Sequence, residues 1–103
     1  MTQRITAAAV ILLAATLAAP AFGQIDAAAL YKTKCQMCHG ANGSPTPTGV
    51  RMGARSFQSP EVVNESDSTL FDITKNGKNK MPMYKSLTDD QIKDLVKYIR
   101  SLK

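Results

Sequence analysis

The two cysteines and the only histidine of this 103-residue chain stand together as Cys35-Gln36-Met37-Cys38-His39. Chance sets two Cys and one His in that order and spacing in roughly one chain in five thousand, so the cluster is read as chemistry. Its spacing is the signature of covalent haem attachment. Cysteines three apart on a helical turn project to one side, so both thiols can add to the two vinyl groups of one porphyrin. The adjacent imidazole is then carried under the ring with a nitrogen aimed at iron.

Other uses of these residues fail on what the chain lacks. A zinc site needs four ligands, and no further Cys or His exists to complete one. A thioredoxin-like dithiol would need strands alternating with helices. A disulfide across four residues would close too small a loop to stabilise much.

Length and charge narrow the setting. The single charge Arg4 is followed by an apolar run from Ile5 to Ala19 and then by Pro20-Ala21-Phe22-Gly23. This is a secretory signal pattern, with small residues at the cleavage-determining positions and a cut expected after Gly23. The competing reading is an uncleaved N-terminal anchor, because Ile5 to Phe22 approaches the roughly 20 residues that cross a bilayer. Residues 1–23 are thus assigned as signal peptide and 24–103 as one domain of 80 residues. Without Arg4 the domain has twelve basic and eight acidic side chains, about +4. That balance favours acidic protein partners over nucleic acid, for which no dense Lys/Arg run is present. A domain of this size buries only about 60–65% of its surface and needs a staple. A covalent prosthetic group would supply one.

The pattern of the domain is all-α. A first helix is expected from Ala27 to about Met37, capped by Asp26 and running into Cys35. From Ala41 to Glu65 the chain is rich in Asn, Gly and Pro without sustained period, and loop is expected there. A second helix is expected from Asp67 to Asn76, with Ser66 as cap, Leu70, Phe71 and Ile73 inward, and Gly77 as stop. The third carries a Thr88/Gln91 capping box, Asp89 and Asp90 in its first turn, and an apolar stripe Ile92, Leu95, Val96, Ile99, Leu102.

With His39 beneath the iron, a second ligand must be another residue type. The thioether of Met is the usual partner of His in electron-carrying haems. Met1 leaves with the signal, and Met37 lies inside the attachment turn. Of Met52, Met81 and Met83, we select Met81, with Met83 as its close rival. Pro82 sets Met81 in an extended segment between Gly77 and Thr88, where one side chain can be laid across a ring without breaking a helix.

Three runs together resemble a small bacterial class I (monohaem) cytochrome c. They are Tyr31-Lys32-Thr33-Lys34-Cys35-Gln36-Met37-Cys38-His39-Gly40, Asn76-Gly77-Lys78-Asn79-Lys80-Met81-Pro82, and Leu87-Thr88-Asp89-Asp90-Gln91-Ile92 with Tyr98-Ile99-Arg100. The resemblance spans essentially the whole domain. It implies the cytochrome c fold, three main helices around a covalent haem, the first and last crossing with Tyr31 near Tyr98. It also implies haem c held by thioethers at Cys35 and Cys38, and iron bound by His39 and Met81. A proline carbonyl commonly orients the imidazole in that family, here from Pro45 or Pro47. The chain departs from many relatives in having Ala27 where they carry Gly at the helix crossing.

A haem with both axial positions filled has nowhere to bind substrate, so the expectation is a periplasmic one-electron carrier and not an enzyme. It would serve redox protein partners with acidic docking surfaces, touching membranes only through membrane-bound redox complexes, with no small-molecule substrate. Lys75, Lys78, Lys80 and Lys85 lie around Met81 in sequence, with Asp72 among them, and would form a basic rim. The alternatives are a haem protein that binds O₂, CO or peroxide by displacing Met81, and a haem subunit of a larger dehydrogenase or oxidase.

Overall fold

A computed structural model describes Ala9, Ile11 and residues 26–103. Apart from Ala9 and Ile11, the signal segment falls outside the described residues, as does the cut after Gly23. Among the described residues six helices follow one another: α1 (Ala27–Lys34), α2 (Gln36–His39), α3 (Pro47–Arg51), α4 (Pro60–Val63), α5 (Asp67–Asn76) and α6 (Asp89–Ser101). Among the described residues there are no strands, only an isolated antiparallel bridge between Lys78 and Met81. No helix among them is long and apolar enough to cross a membrane.

The three longest helices lie where local signals place them. Asp26 accepts from the Ala28 N–H at the start of α1, and Ser66 accepts from the Thr69 N–H at the start of α5. Gly77, at φ 78°, ends α5. Thr88 and Gln91 satisfy each other's backbone N–H groups at the start of α6 in a complete capping box, worth about 1 kcal/mol at such a position.

Two expectations are corrected. The first helix does not run to Met37: Cys35 adopts φ −120° and divides it into α1 and α2. The cause is tertiary. Thr46 donates its hydroxyl to the Met37 carbonyl at 2.7 Å and its N–H to the Cys38 carbonyl at 3.0 Å, drawing α2 toward α3. Nor is the segment 41–65 all loop, for it contains α3 and α4. Each opens with Pro at its first position behind a Thr or Ser, Thr46-Pro47 and Ser59-Pro60. Proline there is pre-organised for a helix and lacks only an N–H that would have had no partner. One turn is too short to show a period.

Helix α6 packs against both α1 and α5, and α2 packs against α1 and α3. The core is Leu30, Tyr31, Leu87, Ile92 and Leu95. Burying each such side chain stabilises the fold by about 1.5–3 kcal/mol. Tyr31 meets Tyr98 with ring centroids 5.2 Å apart, so α1 and α6 touch through their aromatics with Ala27 in place. At the far end of α6, Arg100 donates to the carbonyls of Val62 at 3.0 Å and Val63 at 3.3 Å and pairs with Asp67. One side chain thereby ties the link between α4 and α5, one wall of the site, to the terminal helix.

Candidate cofactor site

Cys35, Cys38, His39 and Met81 all line a single cavity of about 410 Å³. Its size falls within the roughly 300–1,000 Å³ usual for ligand sites. The rest of the lining is largely apolar and includes Phe57, Leu70, Ile73, Leu95, Val96 and Ile99.

The attachment turn is held from three sides. The His39 N–H donates to the Cys35 carbonyl at 3.0 Å, closing one turn that carries both thiols and the imidazole. The buried Tyr31 hydroxyl donates to the Gly40 carbonyl at 2.6 Å, anchoring the chain just beyond His39. Helix α3 presses its Gly49 against the turn so closely that a Cβ would stand 1.9 Å from the Cys38 carbonyl oxygen. Only glycine allows that approach.

Burial pushes the Cys35 thiol up to about 11, against a smaller opposing effect of Lys34. Cysteines used for disulfide exchange have their pKa lowered, not raised, so the dithiol reading loses its chemistry here. Burial holds the His39 imidazole below its ordinary 6.5, keeping it neutral at physiological pH, the form that binds metal. Its Nδ1 is buried and has no hydrogen-bond partner. No hydrogen bond joins it to the Pro45 or Pro47 carbonyl in this structure. Two thiols on one turn, a neutral imidazole and an apolar lining are the donor set and shell that a covalent haem requires.

The Met residues separate in space. Met81 lines the cavity and is half-buried, Met52 lines it at 40% exposure, and Met83 is 58% exposed and lies outside the lining. The loop carrying Met81 is fastened at both ends of its arc. The Lys78 and Met81 main chains bond to each other at 2.9 and 3.2 Å, and the Tyr84 N–H donates to the Thr74 carbonyl at 3.1 Å.

The cavity mouth is asymmetric in charge. Lys34, Lys78 and Lys80 stand on it near the Met81 loop; Arg55 and Glu61, paired with each other, and Glu65 stand elsewhere on the lining. Lys75 leaves the expected basic rim, since its ammonium pairs with Asp89 at 2.9 Å and lies 5.7 Å from the Phe71 ring centre. Lys34 joins the rim instead. It is carried there by the end of α1, 47 residues before Met81 in sequence, and only the fold brings it near.

A helical shell closed over an attachment turn of this kind defines a c-type cytochrome, whose cofactor is haem c with its iron. Residues 19–99 match the family described as cytochrome c oxidase, cbb3-type, subunit III, and the chain belongs to that family of small monohaem cytochrome c domains. It is 26% identical over 72 residues to cytochrome c6 of Cyanidium caldarium, a match covering 70% of this chain and 64% of that relative's length. Among solved structures it is similar to the KustC0563 c-type cytochrome, with 35% identity, a TM-score of 0.69, and coverage of 77% of this chain and 99% of the other. A mutant of Kustc0563 gives 34% identity and a TM-score of 0.68, covering 77% of this chain and 100% of its own.

Proposed function

We propose that this chain is a one-electron carrier exported to the periplasm, working as residues 24–103 after cleavage behind Gly23. Cys35 and Cys38 would hold haem c through thioethers, and His39 and Met81 would bind its iron. The observation that supports this most directly is that these four side chains, spread over 47 positions of the sequence, line one apolar cavity. When bound, the haem supplies a single-electron couple between Fe(II) and Fe(III).

The chain's own part is positioning and exclusion. Leu70, Ile73, Leu95, Val96 and Ile99 keep water from the ring, and the sulfur of Met81 favours the reduced state. With His39 and Met81 both engaged by the iron, the chain would leave no position for a small-molecule substrate and would exchange its electron with a docked protein. Lys34, Lys78 and Lys80 at the cavity mouth and Lys85 beyond them suit an acidic partner surface. The redox protein supplying or accepting the electron is recognised by that charge.

Replacing Met81 and Met83 separately by Ala tests both ligand and class. The near-infrared sulfur-to-iron band of the oxidised protein disappears in M81A and persists in M83A, and ferrous wild type ignores CO. The reverse pattern in the two variants transfers the ligand to Met83. Ready CO binding by wild type replaces the carrier by a ligand-binding haem protein.

A further inference from the structure

The arc that carries Met81 starts and ends on helix α5, and Gly77 packs against its middle. Gly77 closes α5 at φ 78° and ψ 168°, a combination essentially confined to glycine, with its N–H on the Ile73 carbonyl at 2.8 Å. A Cβ built on Gly77 would stand 2.7 Å from the Met81 carbonyl oxygen, 3.1 Å from the Met83 nitrogen and 3.2 Å from the Pro82 carbonyl carbon. All three atoms are main chain, so the backbone of 81–83 closes on the bare Cα of Gly77. The Lys78 N–H donates to that same Met81 carbonyl at 3.2 Å. Asn79 and Lys80 turn the chain between these two bonded residues, and Asn79, at φ 52°, is the one non-glycine residue with positive φ among the described residues.

We infer that Gly77 is the positioning residue of the Met81 ligand: having no side chain, it lets the 81–83 main chain close on the end of α5 and so sets how far the Met81 side chain reaches into the cavity. The inference rests on Met81 as the sulfur ligand. Leu70, Ile73 and Thr74 of α5 line the same cavity, so Gly77 references the ligand to a wall of the site and not to a free arc. A methyl at position 77 would have to push the Met81 carbonyl outward, because main chain cannot swing aside as a side chain does. The arc cannot yield as a whole, since the Tyr84 N–H is held on the Thr74 carbonyl at 3.1 Å. The displacement therefore falls on Met81. A thioether is an uncharged, weak donor, so its hold on iron depends on how accurately the loop delivers it. Bound sulfur favours the reduced state, and released sulfur opens the position to a small ligand.

G77A in the holoprotein tests this through the near-infrared sulfur-to-iron band of the oxidised form, CO titration of the reduced form and the reduction equilibrium against a mediator dye. The band weakens, and CO, which wild type ignores, binds because the sulfur-free state is about tenfold more populated. The equilibrium moves about threefold toward the oxidised state. N79A strains the same arc at its left-handed position but leaves the Gly77 contact in place. It keeps the band and the indifference to CO and loses only thermal midpoint. In the reduced wild type, a nuclear Overhauser cross-peak joins a Gly77 α-proton to the Met83 N–H, a reading that serves if G77A fails to mature. G77A with the band, CO response and equilibrium of wild type overturns the positioning role, as does a missing cross-peak or an N79A that loses the band as fully as G77A. A band that survives in M81A overturns the ligand assignment itself.

Discussion

The hydroxyl of Tyr84 donates to the carbonyl of Lys34 at 2.8 Å, a bond across fifty residues that fastens the Met81 loop to the end of α1 beside Cys35. The Tyr84 ring lines the cavity as well, so one side chain helps close the site and links its two sides.

Y84F removes this tie and keeps the ring. A lost hydrogen bond of this kind costs about 1 kcal/mol, which lowers the thermal midpoint by a few degrees in a domain of this size. With Met81 as ligand, the loosened loop also admits CO to the ferrous protein more readily than in wild type. Thermal unfolding followed in the Soret band and CO titration of the same samples check both effects.

Gly49→Ala drives a methyl into the Cys38 carbonyl. The atoms it meets are all Cys38 backbone, which cannot swing aside as a side chain would, so α3 has to move off the attachment turn, at a cost of about 1–3 kcal/mol. The expected result is a lower yield of haem-loaded protein and a lower midpoint in what matures. Wild-type yield and midpoint would show that the α2–α3 contact is dispensable.

Alkaline pH acts through Tyr31, whose phenol is pushed up from 10.0 to about 12 by burial first and by Cys35 and Tyr98 after it. The folded state holds the proton more tightly than the unfolded state. The contribution is therefore fully present below pH 10 and is lost as pH rises through 12, at no more than about 1.4 kcal/mol per pH unit. Urea unfolding between pH 9 and 12, compared with Y31F, isolates it: Y31F starts less stable, lacking the bond to Gly40, and declines less steeply over that window.

Charge reversal at the cavity mouth tests docking. K78E/K80E slows electron transfer to an acidic partner by about tenfold or more at low salt, and the difference shrinks as ionic strength rises past about 0.1 M. K75E has a smaller effect because Lys75 is occupied by Asp89. Transfer rates by stopped flow at several salt concentrations decide, and equal sensitivity of Lys75 and Lys78 would remove the rim as it is drawn here.

What was legible in the residues was what neighbouring residues carry among themselves. The attachment signature, the caps Asp26, Ser66 and Thr88, and the stripe of α6 each occupy a handful of consecutive positions. Their geometry follows from helical spacing alone. The proline-led turns at Pro47 and Pro60 had a local signal too, Thr or Ser before Pro, hidden by the absence of any period in a single turn.

The sequence by itself determined the haem-binding turn, the all-α class and the three long helices, because each depends on contacts within about one helical turn. The tertiary structure alone decided that the first helix breaks at Cys35, that Lys34 replaces Lys75 at the mouth, and that the imidazole lies against the Phe57 ring. Those outcomes rest on groups brought together by packing from distant parts of the chain. No residue's own preference encodes which distant carbonyl, ammonium or ring will reach it first.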